Sequence, residues 1–115
     1  MLILLHVDDT GSLAVTLTTR SMKLRSHPGD TAFPGGKFDD VDGTVETTAL
    51  REANEEIGLP LDQMENLLHI TTLFPFTSAS LLVVVPVVYL WKTPDLSILS
   101  PNPGKRRDSS RLRQY

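Results

Sequence analysis

The sequence predicts one α/β domain, because a single helical pattern lies between two pairs of β-rich segments. Apolar residues recur every fourth position near the middle of the chain, at Val45, Ala49, Ala53 and Ile57. The chain has 115 residues, of which 40% are hydrophobic and 22% are charged, and these values are typical of one soluble globular domain. The expected order of elements is therefore strand, strand, helix, strand, strand.

Two β-rich segments open the chain, at residues 2–7 and 13–19. The residues between them include Asp8, Asp9 and Gly11, which favour a turn, so the two segments are predicted to form a hairpin. Proline and glycine then interrupt residues 20–36 at Pro28, Gly29, Pro34, Gly35 and Gly36. That segment is predicted to be a long loop with one short extended piece near Phe33, and long loops in compact domains are usually functional.

The helix is predicted over residues 44–57. Glu46 lies in its first turn, and Gly58 followed by Pro60 supplies a stop signal. Residues 67–74 and 81–91 are rich in apolar and β-branched side chains and are predicted to be two further strands, joined by a turn around residues 75–80.

The composition changes after residue 92, where proline and basic residues become frequent. Residues 101–115 hold five Lys or Arg against one Asp, whereas residues 1–100 hold six Lys or Arg against thirteen Asp or Glu. The sequence therefore predicts a domain over residues 1–92 and a disordered, Pro-rich basic tail over residues 93–115. An acidic body argues against nonspecific binding to nucleic acid and favours a cation site.

Cysteine is absent from the chain, which excludes disulfides and thiolate metal sites and is consistent with an intracellular compartment, the cytoplasm by default. The apolar runs at residues 1–5 and 81–91 are too short for a secretory signal or a membrane span. Oligomeric state is not indicated by any pattern in the sequence.

Three carboxylates share one face of the predicted helix, because Glu52, Glu55 and Glu56 are spaced i, i+3, i+4. Like charges at this spacing destabilise a helix by roughly 0.2–0.5 kcal/mol per pair. A hard divalent cation would relieve that repulsion, since Mg²⁺ and Mn²⁺ prefer carboxylate oxygens. The cluster by itself is equally consistent with a solvated acidic face.

The surrounding residues resemble the signature of the Nudix hydrolases. The stretch reads Gly36-x5-Asp42-x8-Arg51-Glu52-Ala53-x-Glu55-Glu56-Ile57-Gly58-Leu59. It departs from the signature at Asp42, which stands where the family has glutamate, and in one extra residue before Arg51. The resemblance covers roughly residues 2–91 and implies the Nudix α/β/α sandwich around a mixed sheet.

An upstream stretch resembles a second signature, found in the coenzyme A diphosphatase subgroup of the family. It reads Leu17-Thr18-Thr19-Arg20-Ser21-x3-Arg25-x3-Gly29-x3-Phe33-Pro34-Gly35-Gly36. That subgroup, which includes peroxisomal enzymes, shares the variant at Asp42 and the longer spacing. The last three residues of this chain are not the Ser-Lys-Leu peroxisomal signal.

The resemblance implies a role for each residue of the site. Glu52, Glu55 and Glu56 would bind Mg²⁺ or Mn²⁺ together with the Gly36 carbonyl. Glu52, Arg51 and Glu55 would be catalytic, with Glu52 as a further metal ligand or the base that activates water and with Arg51 orienting the glutamates. Arg20, Arg25, Gly29 and Phe33 would bind the substrate, coenzyme A or an acyl-coenzyme A, although Arg25 is also consistent with a surface charge.

Three other interpretations remain open. Nudix domains continue past the last predicted strand into a further strand and a helix, which residues 92–115 do not predict, so the fold is expected to be incomplete at its C-terminus through truncation or a frameshift. The chain is then also consistent with a non-catalytic Nudix remnant. ADP-ribose and other nucleoside diphosphate derivatives are alternative substrates, and the basic tail is an alternative binding site for an acidic partner.

Overall fold

A computed structural model describes residues 1–19, 31–93 and 111–114, the last group by its backbone alone. The β-strands are β1 Leu2–Val7, β2 Leu13–Thr19, β3 Thr31–Ala32, β4 Leu67–Thr72, β5 Phe76–Thr77, β6 Val83–Val84, β7 Val87–Trp91 and β8 Arg111–Gln114. Within those residues there is one α-helix, α1 Val45–Ile57, and there are two 3₁₀ turns, Asp40–Asp42 and Met64–Asn66. None of these helices is long and apolar enough to cross a membrane.

The main sheet is mixed, with the strand order β3-β2-β1-β7-β4, and β8 pairs with β2 outside this path. Strands β1 and β7 are parallel, whereas β1 with β2 and β4 with β7 are antiparallel. The short strands β5 and β6 form a separate hairpin. The mixed sheet with a helix confirms the predicted α/β class.

Helix α1 has the ends that its sequence predicts. The Thr44 hydroxyl accepts a hydrogen bond from the Thr47 amide at 3.1 Å, and Gly58 ends the helix in the left-handed conformation at φ 71°. The apolar face of the helix packs on one face of the sheet. This contact forms the core, which contains Leu2, Leu4, Ala49, Leu50, Ala53, Ile57, Leu59, Leu67, Val87, Tyr89 and Trp91.

The hairpin of β1 and β2 has the predicted bounds, because its turn is held locally. The Asp8 carboxylate accepts hydrogen bonds from the amides of Thr10 and Ser12 at 3.0 and 2.9 Å. This arrangement lowers the pKa of Asp8, mainly through the Thr10 hydroxyl, which also donates to the carboxylate.

The second pair of predicted strands differs from the structure, because Pro86 interrupts residues 81–91. Proline has no amide hydrogen to contribute to a sheet, so the segment divides into β6 and β7 on either side of it. The preceding strand, β4, ends at Thr72 rather than at residue 74. The Leu73 amide donates to the Pro86 carbonyl at 2.8 Å, so residues 73–86 leave and rejoin the sheet at adjacent points.

The predicted disordered tail also differs from the structure, at four residues. The backbone of Arg111–Gln114 forms β8, which pairs antiparallel with β2 through Leu17 opposite Arg113. Strand β1 pairs with β2 only over Leu13 to Val15, so the backbone of β2 beyond Val15 is available to another strand. Residues 94–110 and Tyr115 lie outside the described residues.

Candidate functional site

The predicted site residues meet where α1 passes the segment that follows β3. The Leu2 amide donates to the Pro34 carbonyl at 2.7 Å. This bond holds the segment at the end of the sheet where β1 begins. The next residue donates its amide to α1, because the Gly35 nitrogen lies 3.1 Å from Oε2 of Glu56. The loop and the carboxylate face of the helix are therefore in direct contact.

The Arg51 guanidinium lies at the centre of the acidic residues. Its Nε and Nη2 donate to the two carboxylate oxygens of Asp42 at 2.8 and 3.0 Å. Its Nη1 donates to Oε1 of Glu52 at 3.0 Å and to Oε1 of Glu55 at 3.3 Å. Because Nη2 also donates to the Lys37 carbonyl at 3.2 Å, one side chain joins the helix, the loop and the turn that carries Asp42.

Asp42 occupies a nearly closed site, with its side chain only 3% exposed. The pKa of Asp42 is lowered to about 2, mainly by the bidentate bond from Arg51 and to a smaller extent by hydrogen bonds from the Thr48 hydroxyl and the Asp39 amide. The same contact raises the pKa of Arg51. The residue that departs from the Nudix signature is therefore ionised and paired, and it fixes the plane of the arginine.

The depressed pKa of Asp42 predicts a pH dependence of stability. The ordinary pKa is 3.8, so the ion pair should stabilise the fold fully above about pH 4 and lose its effect as the pH falls towards 2. The free energy of unfolding of the wild type and of Asp42→Asn, measured by urea titration from neutral to acidic pH, should differ most near neutrality and converge below pH 4. A constant difference at every pH would contradict this assignment.

Glu52 and Glu56 are nearly buried, at 5% and 2% exposure, and each lies against one glycine of the loop. Glu56 accepts the Gly35 amide, and the Glu52 carboxylate occupies the space that a Cβ atom on Gly36 would need. Neither glycine is among those with positive φ. The loop therefore needs glycine at position 36 because of the close approach of a carboxylate, not because of an unusual backbone conformation.

Gly36→Ala should consequently destabilise the fold by about 1–3 kcal/mol, the usual cost of overpacking. The Glu52 carboxylate would have to leave its present place, where it accepts a hydrogen bond from Arg51, to make room for the new methyl group. The penalty, measured by thermal and urea unfolding, should vanish in a Glu52→Ala background, where the collision no longer exists. An equal penalty in both backgrounds would show that the glycine is needed for some other reason.

The acidic residues offer the donor chemistry of a hard divalent cation, since carboxylates and a neighbouring backbone carbonyl are the ligands that Mg²⁺ and Mn²⁺ prefer. In the part of the chain that the structure describes, no three His, Asp or Glu side chains are close enough together to hold an ion as they stand. The protein itself stabilises the carboxylates here, through Arg51 and the Gly35 amide.

Of the four predicted substrate-binding residues, Phe33 is the one that lies among the described residues. It directly follows β3, is half-buried, and precedes Pro34 at the same end of the sheet. Arg20, Arg25 and Gly29 lie outside the described residues. Sequence reasoning missed Thr48 and Asp39, whose bonds to Asp42 depend on how the Asp40–Asp42 turn packs against α1.

Comparison with known proteins shows which family the chain is similar to. The NUDIX domain family matches residues 1–110 of the chain. Nudix hydrolase 15, mitochondrial, of Arabidopsis thaliana is 42% identical over 105 residues, which are 91% of this chain and 36% of that protein. A peroxisomal coenzyme A diphosphatase of Caenorhabditis elegans is 42% identical over 101 residues, which are 87% of this chain and 42% of that protein. The chain thus spans well under half the length of these relatives.

The fold is likewise that of solved Nudix structures. The crystal structure of a Nudix hydrolase from M. smegmatis superposes with a TM-score of 0.71 at 26% identity, over 96% of this chain and 66% of that one. This likeness confirms the Nudix fold that the sequence signature implies.

Proposed function

The chain belongs to the Nudix family, and from that premise we propose that it hydrolyses the diphosphate bond of coenzyme A or an acyl-coenzyme A. The products would be 3′,5′-ADP and 4′-phosphopantetheine or its acyl form. The observation that carries the proposal is the convergence of the signature residues, with Arg51 bonded to Asp42, Glu52 and Glu55 at once. The name of the C. elegans relative supports the choice of substrate.

The proposed chemistry requires little covalent participation by the protein. A water oxygen attacks one phosphorus atom, the bridging P–O bond breaks, and Glu52 accepts the proton released by the water. Glu52 suits this role because it is buried and its carboxylate is held in one orientation by Arg51. Arg51 positions the carboxylates and, with Asp42 as its counterion, keeps the acidic cluster together.

The metal would be held by Glu52, Glu55 and Glu56 with the Gly36 carbonyl. These residues fit a divalent cation by donor type, and they lie in one region, since Glu52 and Glu55 bond the same Arg51 nitrogen and Glu56 bonds the neighbouring Gly35 amide. Ion binding would require the carboxylates to draw closer together, because no three acidic side chains of the described residues hold an ion as they stand. When bound, such an ion neutralises phosphoryl oxygens and lowers the pKa of a water. Of the three glutamates, Glu55 is the most accessible to solvent, because its side chain is 35% exposed whereas Glu52 and Glu56 are buried.

The proposed substrate contacts are Arg20, Arg25, Gly29 and Phe33. Coenzyme A carries a 3′-phosphate in addition to its diphosphate, and arginine binds phosphate through two parallel hydrogen bonds. Gly29 and Phe33 belong to the same upstream signature, and Phe33 is half-buried two residues before Gly35, which contacts Glu56.

Arg25→Ala should raise KM for coenzyme A by about tenfold or more and raise KM for dephospho-coenzyme A much less. The expected difference corresponds to the loss of one charge-assisted hydrogen-bonded pair, about 1.5–3 kcal/mol. Steady-state kinetics on both substrates measures it. Equal increases on the two substrates would assign Arg25 to the diphosphate instead of the 3′-phosphate.

The direct test is a substrate panel of coenzyme A, acetyl-coenzyme A, ADP-ribose, NADH and diadenosine polyphosphates, with product chromatography in Mg²⁺, in Mn²⁺ and in EDTA. The proposal expects coenzyme A species to be hydrolysed fastest and EDTA to abolish turnover. Faster turnover of ADP-ribose would show that coenzyme A is not the preferred substrate, while the type of reaction would stand. Turnover that persists in EDTA would show that the reaction needs no divalent metal. No turnover of any substrate would favour a non-catalytic Nudix domain.

A further inference from the structure

An exposed apolar hairpin projects from the sheet between β4 and β7. This apolar hairpin, residues 73–86, includes β5 and β6 and contains no Asp, Glu, Lys or Arg. Its side chains are unusually exposed for their type, with Phe74 at 95%, Leu81 at 82% and Val83 at 72%. Large exposed apolar surfaces mark sites that bind another molecule or an apolar ligand.

The apolar hairpin leaves the sheet at the same end of the strands as the carboxylate site, where β1 and β7 begin. Strand β7 begins beside β1, where the Val87 amide donates to the Met1 carbonyl at 2.9 Å. A Cβ atom on Gly35 would lie 2.9 Å from the Cα of Met1, and the Gly35 amide donates to Glu56. A chain of contacts through Met1 and Gly35 therefore connects the base of the hairpin to the Glu56 carboxylate.

The tip of the apolar hairpin carries a second unusual feature. Leu81 has a φ of +64° and is the one residue other than glycine with positive φ in the described part of the chain. Asparagine and glycine adopt this left-handed conformation readily, whereas leucine does so at a steric cost. The left-handed Leu81 closes the turn of the hairpin, since its amide donates to the Ser78 carbonyl at 2.9 Å and the Ser78 amide donates to the Leu82 carbonyl at 2.8 Å. A large apolar side chain therefore stands exposed at the tip, at a position that glycine or asparagine would fill with less strain.

We propose that the apolar hairpin binds the acyl chain of the substrate, so that long-chain acyl-coenzyme A is preferred over free coenzyme A. This inference rests on the proposed function, which places the diphosphate at the carboxylates. The flexible pantetheine arm separates the diphosphate from the acyl group, and an apolar surface that projects away from the carboxylate site suits the far end of such a substrate. The absence of charge on the hairpin matches an acyl chain, which offers only apolar contact.

Two substitutions test the proposal while preserving the backbone of the hairpin. Leu81→Asn removes the apolar side chain but suits the left-handed conformation, and Val83→Thr keeps the β-branched shape while making it polar. Leu13→Asn is the matched control, because Leu13 is also exposed, at 64%, but pairs with Val7 at the opposite end of β1. Circular dichroism checks that every variant is folded.

Binding of lauroyl-coenzyme A and of coenzyme A is measured by calorimetry in EDTA, below the micelle concentration, so that the readout does not depend on turnover. Each methylene that is fully buried contributes about fourfold in affinity, so the wild type should bind lauroyl-coenzyme A at least about tenfold more tightly. Leu81→Asn and Val83→Thr should each reduce this ratio by about threefold or more, and Leu13→Asn should leave it unchanged.

Equal affinity of the wild type for both ligands would overturn the inference, as would an equal loss of the ratio in Leu13→Asn. A wild type that dimerises, with a monomeric Leu81→Asn whose affinity ratio is unchanged, would assign the hairpin to a second copy of the chain instead. Turnover assays in Mg²⁺ separate the two proposals. Hydrolysis without acyl preference leaves only the proposed function standing, and acyl-dependent binding without hydrolysis leaves only the hairpin inference standing.

Discussion

Replacing Glu56 with glutamine should lower kcat/KM for coenzyme A hydrolysis by at least about a hundredfold, while the chain stays folded. The glutamine oxygen can still accept the Gly35 amide, so the contact between loop and helix survives. The negative charge that would bind the metal is lost. Removal of one of three clustered negative charges should leave the helix unchanged in stability or slightly more stable. Kinetics in excess Mg²⁺ and thermal unfolding measure the two effects.

Glu55→Gln should behave in the same way, and Glu65→Gln provides the matched control. Glu65 is exposed in the Met64–Asn66 turn. This turn leads into β4 at the end of the strands that lies farthest from the carboxylate site. Its substitution should change neither rate nor stability. Variants of Glu55 or Glu56 that unfold at neutral pH would instead indicate that these carboxylates stabilise the structure and do not serve a bound ion.

Helix α1 was predictable because its signals are local. Its apolar period, the Thr44 cap and the Gly58 stop are all read from neighbouring residues. Strands β1 and β2 were predictable for the same reason, since the turn between them is closed by local hydrogen bonds, mainly to Asp8. Residues 81–91 were not, because a continuous apolar run hides the point at which Pro86 interrupts the sheet.

The candidate site was predictable in composition but not in geometry. Helical spacing places Glu52, Glu55 and Glu56 on one face of the helix. It does not predict that Glu52 and Glu56 are buried while Glu55 is partly exposed. That difference arises because the loop residues Gly35 and Gly36 cover the helix at those two positions. A tertiary contact between segments about twenty residues apart leaves no periodic signal.

Arginine at position 51 should be irreplaceable even by lysine. Arg51→Lys keeps the positive charge but cannot reproduce the parallel bonds from Nε and Nη2 to Asp42 while also reaching Glu52 and Glu55. Loss of such an orienting contact is expected to lower kcat/KM by about 10–100-fold. The melting temperature should also fall, because Asp42, whose side chain is almost fully buried, would lose part of its pairing.

A double-substitution cycle distinguishes orientation from charge. If Arg51 acts by holding Asp42 and the glutamates in one plane, Asp42→Asn alone should lower the rate as well, and adding it to Arg51→Lys should cost much less than the product of the two single effects. Lys37→Gln is the control for general loss of positive charge, since Arg51 donates to the backbone carbonyl of Lys37, which the substitution keeps. If Arg51→Lys retains full activity, or if the two losses multiply independently, then the arginine contributes only its charge, and the geometry around Asp42 is not what orients the carboxylates.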